Sequence, residues 1–127
     1  MNSVFINVSN HPSNKWSSDQ IKAAQDIVKN GPIVDAPFPQ INPEFSSSDV
    51  IELADTFTNI LLDLIQEYEA DYVVFHIMGE MNFTYNLVKN LNEEGYHCYA
   101  STTKRNVIED ENGVKTSVFE FVQFREY

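Results

Sequence analysis

The chain has 127 residues, 43% of them apolar, with nine Phe and six Tyr; this suffices for one globular domain with a core of its own and is too short for two ordinary ones. Eight basic residues face 19 acidic ones, a formal net charge of −11, which excludes general binding to duplex DNA or RNA, whose phosphates require clustered Lys and Arg. The one cysteine, Cys98, can form no internal disulfide, and the start of the chain has neither a basic stretch nor a long apolar run, so a soluble, cytoplasmic protein with no membrane partner is expected.

Ser3 to Val8 reads as a short first strand, expected beside the strand at Tyr72. The polar segment Ser9-Asn-His-Pro-Ser-Asn-Lys15 comes next, ending at Ser17-Ser-Asp-Gln20, a capping-box pattern for a helix with Ile21, Ala24, Ile27 and Val28 on one face. Asn30-Gly-Pro32 stops that helix, and Ile33-Val-Asp35 begins a second strand. With Pro37, Pro39 and Pro43, the next stretch is a stiff extended loop. Ser46-Ser-Ser-Asp49 opens the longest helix, with Asp49 and Glu52 read as its capping box and Val50, Leu53, Phe57, Ile60, Leu61, Leu64, Ile65 and Tyr68 as its core stripe.

Tyr72 to Met78 is an apolar, β-branched run broken only by His76, which suits a central strand buried on both faces of a parallel sheet. Gly79 ends the run, Asn82 is placed to cap a third helix, and Phe83, Leu87 and Leu91 recur at helical spacing within it. Glu94-Gly95 closes this helix, and Tyr96 to Ala100 forms a further strand with the polar segment Ser101 to Asn106 at its end. Val107 to Glu109, the turn signal Glu111-Asn-Gly113 and the run Val114 to Phe124 read as a terminal hairpin. The fold class is therefore α/β: a single Rossmann-like domain over 1–127, with a mostly parallel sheet flanked by helices and a C-terminal β-hairpin.

In such sheets ligands collect at the carboxyl ends of the strands. Three polar segments are expected to meet there: Ser9 to Lys15, Gly79 to Thr84, and Ser101 to Arg105. Together they carry hydroxyls, amides, a histidine, a carboxylate and cations, a mixture suited to phosphate and base recognition. Ser9, Asn10, Lys15, Gly79, Glu80, Asn82 and Thr84 are thus candidate ligand contacts, and His11 is either a general acid or base or a loop histidine beside Pro12. Glu80 would orient a ribose hydroxyl or activate a nucleophile. Trp16 would stack on a base or staple the helix start. His76 reads as a satisfied interior histidine and His97 as a surface one, and the histidines and Cys98 lack metal-ligand spacing, so neither metal nor cofactor is expected. No basic residue lies between Lys29 and Lys89, whereas Lys104, Arg105, Lys115 and Arg125 fall in the last quarter. They form either an anion site or solvated pairs with Glu109, Asp110, Glu111, Glu120 and Glu126.

Tyr99-Ala-Ser-Thr-Thr-Lys-Arg-Asn-Val107, then Glu109, Asn112-Gly-Val114 and the closing Val118 to Tyr127, resembles the C-terminal signature of small stand-alone CRISPR-associated proteins of the Csx ring-nuclease type. Gly79-Glu-Met-Asn-Phe-Thr-Tyr85 is similar to that group's glycine turn. The resemblance covers roughly the second half of the chain; Ser9-Asn-His-Pro12 fits it less clearly. It implies a CARF-like domain, usually a homodimer, that binds a cyclic oligoadenylate, most often cyclic tetra-adenylate, and linearises it to switch off type III CRISPR signalling. Cleavage in that group is metal-independent: a ribose 2′-hydroxyl attacks the adjacent phosphodiester and leaves a 2′,3′-cyclic phosphate. By position, Ser101, Thr102, Thr103, Lys104 and Arg105 would hold phosphates, with Lys104 and Arg105 as catalytic candidates; His11 joins them through the expected placement of its loop and not through the motif. Two other readings stand beside this one: a sensor or sponge of the same fold that does not cut, and an α/β interaction protein whose basic motif is a hairpin ion-pair network.

Overall fold

The structure, a computed structural model, describes residues 2–127. The elements run β1 (Ser3–Ser9), a 3-10 turn (Ser13–Lys15), α1 (Ser18–Ile27), β2 (Ile33–Asp35), α2 (Ser47–Glu67), β3 (Tyr72–Met78), α3 (Met81–Glu93), β4 (His97–Glu109) and β5 (Lys115–Glu126). They form one five-stranded sheet in the order β2-β1-β3-β4-β5. The first four strands are parallel and β5 is antiparallel to β4, a Rossmann-like α/β architecture closed by a hairpin.

Period-2 alternation explains the layering. Val4, Ile6 and Val8 of β1, with Val73, Phe75 and Ile77 of β3, pack against α2 and α3 through Val50, Leu61, Ile65, Phe83 and Leu87. The alternate residues Phe5 and Val74 face the other way, onto Trp16, Ala24 and Val28. Helix α1 therefore covers one face and α2 with α3 the other. Each fully buried Val, Ile or Phe contributes about 1.5–3 kcal/mol, so β1 and β3 are the anchored strands and their carboxyl ends form a firm platform. The chain leaves β1 toward β2 on one side and returns across it to β3 on the other; the order of the sheet reverses between β1 and β3.

Several expectations are corrected. Ser101 to Asn106 is not a loop: β4 continues unbroken from His97 to Glu109. Only His97, Cys98 and Tyr99 pair with β3, whereas β4 and β5 pair from Tyr99↔Glu126 to Glu109↔Lys115. The hairpin thus runs on past the end of the sheet, with an irregularity at Thr102/Thr103. The capping box of α2 is Ser46 with Asp49, not Asp49 with Glu52, because helical φ/ψ begins one residue after Ser46. On the same helix Ala54 and Thr58 are buried while Ile60, and Tyr68 just past its end, are exposed; the core-facing stripe is rotated from the purely apolar one. Helix α3 is capped by Glu80, not Asn82: its carboxylate accepts from the backbone N–H of Asn82 at 2.6 Å and of Phe83 at 3.2 Å.

Among the described residues no helix is long and apolar enough to cross a membrane.

Candidate functional site

The sheet order reverses between the ends of β1 and β3, the place where open α/β sheets bind ligands. Polar side chains gather there on the α1 face. Asn7 and His76 are paired in register across β1 and β3, and His76 with Tyr99 across β3 and β4. Asn7, Ser9 and His76 are buried to 1%, 8% and 2% exposure, so each needs partners, since an unpaired buried polar group costs about 1–3 kcal/mol.

The partners form one continuous chain. Asn7 Nδ2 donates to Asp35 Oδ1 at 2.9 Å and to the His11 carbonyl at 3.0 Å. Its Oδ1 is then the acceptor, taking the Ser9 hydroxyl at 2.8 Å and His76 Nδ1–H at 2.8 Å. This fixes the His76 tautomer: with the proton on Nδ1, Nε2 carries the lone pair, and the Ser101 hydroxyl lies 3.2 Å from it. The Ser101 hydroxyl is also 2.9 Å from Met78 Sδ, so two acceptors share its single proton. At the far end Asp35 accepts from the Ser13 backbone N–H and hydroxyl at 3.1 and 3.0 Å. Asp35, Asn7, His76 and Ser101, from β2, β1, β3 and β4, are thus linked in that order.

Aromatic side chains wall the histidine. Phe5 stacks on it at 6.4 Å between ring centroids, and Trp16 and Phe124 meet it edge-on at 5.5 and 5.3 Å. Burial among these rings, with the charge of His11 adding to it, pushes His76 down to about 4, so the imidazole is neutral at neutral pH. Trp16 is buried and donates Nε1–H to the His11 carbonyl at 2.9 Å, a core role that removes it from base stacking.

Of the residues expected to contact ligand, Ser9 and Ser101 lie in this chain. His11 and Lys15 line, with Thr103, a cavity of about 610 Å³ between the loop after β1 and the hairpin. Asn10 and Glu80 line another of about 680 Å³ with Phe38 and the proline-rich loop. Gly79 and Thr84 line a third, about 780 Å³ and mostly apolar, with Met78, Met81 and Tyr127; the Thr84 hydroxyl is buried without a partner. Asn82 sits in the first turn of α3 with its N–H taken by Glu80. Thr102 donates to the Gln123 carbonyl at 3.2 Å. Lys104 and Arg105 are exposed further out on the hairpin, Lys104 opposite Glu120 and Arg105 donating Nε–H to Ser117 at 3.0 Å. At strand rise Lys104 is about 10 Å beyond Ser101.

Two features run against simple anion binding. The carboxylate of Glu80 already occupies the N-terminus of α3, and the space a side chain would need at Gly79 is filled by the Phe38 ring, 2.3 Å from an ideal Cβ. Gly79 therefore answers to packing against Phe38.

A family model for the uncharacterized protein MJ1673 family matches residues 3–125. The chain belongs to that family. No curated protein matches it. Among solved structures, Enterococcus italicus Csm6 bound to cyclic hexa-2′-fluoro-hexa-dAMP is similar, at a TM-score of 0.44 and 14% identity, over 81% of this chain and 34% of that one. The chain spans about a third of the length of that protein. In this member of the MJ1673 family, His76 is the satisfied interior histidine that the sequence predicts, whereas nothing in the sequence reading singles out Asn7 or Asp35 as members of the candidate site. A signal for Asn7 was present: a lone histidine near the carboxyl end of an apolar strand, level with an asparagine near the end of its neighbour.

Proposed function

We propose that this protein acts as a single domain that binds a cyclic oligoadenylate and opens the ring, a ribose 2′-hydroxyl attacking the adjacent phosphodiester without a metal ion. The observation that carries this reading is the chain of side chains that starts beside the reversal point of the sheet and ends at the partly exposed Ser101 on β4. Such a reaction asks the protein chiefly to hold sugar and phosphate in line and to offset developing charge. A hydroxyl held within a strand, where β4 passes the end of β3, meets the first need. The resemblance of Tyr99 to Val107 to the ring-nuclease signature supports it further, since Ser101 to Arg105 lie inside that segment.

Lys104 and Arg105 lie further out along the hairpin than Ser101. A ring of several nucleotides would span both points, with Ser101 at one phosphodiester and the cations of the hairpin at another. His11 and Lys15, lining the same cavity as Thr103, would flank the same ring. A two-fold symmetric ring suits a homodimer presenting the same edge twice, in a cytoplasmic role that ends type III CRISPR signalling.

A second reading is favoured by one observation: Glu80 blocks the helix N-terminus that would otherwise stabilise a developing negative charge. In that reading the protein senses or sequesters the messenger uncut.

Incubation with cyclic tri-, tetra- and hexa-adenylate in the presence of a chelator, with separation of bound and cleaved species, tests both. Linear products ending in a 2′,3′-cyclic phosphate support the ring nuclease. Tight binding with an intact ring supports the sensor, and neither outcome removes both.

A further inference from the structure

We infer that His76, acting through Ser101, is the proton acceptor for the attacking hydroxyl of the ligand, with Asn7 and Asp35 holding the imidazole in the tautomer the transfer requires. This rests on the proposed ring-opening activity and supplies it with the proton-transfer pair that the sequence does not display.

The hydrogens available fix the direction of the bonds from Asp35 to His76, and the Ser101 proton is shared between His76 Nε2 and Met78 Sδ. Both N–H bonds of the Asn7 amide are committed, to Asp35 and to the His11 carbonyl, so its oxygen can only accept. His76 Nδ1 must then donate, and Nε2 is left as a lone pair aimed at a hydroxyl. A base within hydrogen-bond reach of a hydroxyl, oriented from behind by a third group, is the arrangement that activates an oxygen. His76 is too buried to meet a ligand itself. Ser101 is partly exposed and carries a second lone pair, so it can accept a ligand's hydroxyl proton as it passes its own inward.

In this step the 2′-O–H bond breaks and its proton goes to Ser101 Oγ, while the Ser101 proton goes to His76 Nε2. The 2′-oxygen bonds to phosphorus, and the bond from phosphorus to the 5′-oxygen breaks, its electron pair leaving on that oxygen. The 5′-oxygen takes a proton from water, and His76 returns its proton through Ser101 to the hydroxide so formed. The imidazolium exists only transiently, with Asn7 Oδ1 and, one bond further, the Asp35 carboxylate facing it. The other groups around the ring are His11 from the loop after β1, the Tyr99 phenol on β4, and the uncharged Phe5, Trp16 and Phe124. Because burial keeps His76 unprotonated down to about 4, the base form is present throughout the neutral range.

The test uses His76→Gln, whose side-chain amide can still accept from Ser101 but cannot take up a proton. Positioned acid–base groups contribute about 10²–10⁴-fold. Single-turnover cleavage of cyclic tetra-adenylate is expected to fall at least a hundredfold in His76→Gln, with binding changed by less than about threefold. Ser101→Ala and the double variant are expected to lose the same factor, because groups acting as a unit are not additive. The wild-type rate is expected to be flat above pH 6 with an acid limb near 4, a limb absent from His76→Gln. Cleavage that survives His76→Gln, or multiplicative losses in the double variant, overturns the relay and leaves the ring nuclease standing. Binding without any cleavage by the wild-type chain overturns both. Nitrogen-15 NMR supplies an independent check in the unliganded protein: the Nδ1–H tautomer is expected, and an Nε2–H tautomer overturns the relay whatever the activity.

Discussion

Asn7 Oδ1 lies 2.8 Å from His76 Nδ1 across two buried strands that are in register at that rung. Because the same asparagine also holds Ser9, Asp35 and the loop at His11, it joins three strand ends and the first loop. Asn7→Leu keeps the volume and removes every one of these bonds. His76 Nδ1–H then has no partner at 2% exposure, and the loss is expected at about 1–3 kcal/mol for each orphaned group, read as a clearly lowered urea midpoint. An unchanged midpoint would mean that the network contributes nothing to the fold.

Acid should weaken the protein through His76. An ordinary histidine takes up a proton near 6.5 and the folded His76 only near 4. Between those values the unfolded chain binds a proton that the folded chain does not, so this contribution is complete above 6.5 and is lost as the pH falls toward 4. From pH 7 to 5 the expected loss is about 2 kcal/mol, measured by urea unfolding. In His76→Gln the slope over this interval should largely vanish.

Gly79→Ala places a methyl 2.3 Å from the Phe38 ring. Phe38 is wedged against Phe83, 5.1 Å between centroids, and cannot retreat without opening the core. Overpacking of this kind costs about 1–3 kcal/mol. Combined with Phe38→Leu, which clears the space, the alanine should cost less than it does alone, and a double-mutant cycle on thermal unfolding reads the difference.

Glu80→Ala separates two roles for that carboxylate. As the cap of α3 its removal costs about 1 kcal/mol. It also uncovers the N–H groups of Asn82 and Phe83, so affinity for a phosphate-bearing ligand should rise a few-fold. If Glu80 instead holds a ribose hydroxyl, affinity falls. Calorimetric titration with cyclic tetra-adenylate distinguishes the two signs.

The sheet was legible because its strands announce themselves: Tyr72 to Met78 and Ser3 to Val8 have no other home than a doubly covered sheet. The site was only half legible. Ser9 and Ser101 stand in polar runs and draw notice, whereas His76 sits in an apolar run whose simplest reading is a satisfied interior histidine. That reading is correct as to burial and silent on what satisfies it. Asn7 and Asp35 become meaningful only when β1, β2 and β3 are set in register, a non-local fact. Lys104 and Arg105 were placed by assuming that β4 ends at Ala100; cross-strand pairing with β5 carries it on to Glu109, and local propensity for strand or loop in Ser-Thr-Thr-Lys-Arg cannot decide between them. Likewise Glu80 outcompetes Asn82 as cap because the turn after β3 ends one residue past Gly79.

The most direct test compares cyclic tetra-adenylate with its 2′-deoxy counterpart, metal-free, at protein in excess over ring. Opening of the ribose ring to a 2′,3′-cyclic phosphate end, with the deoxy ring bound but intact, is the expected result. Opening of both rings alike would contradict attack by the 2′-hydroxyl, and absence of binding to either would contradict the proposed function altogether.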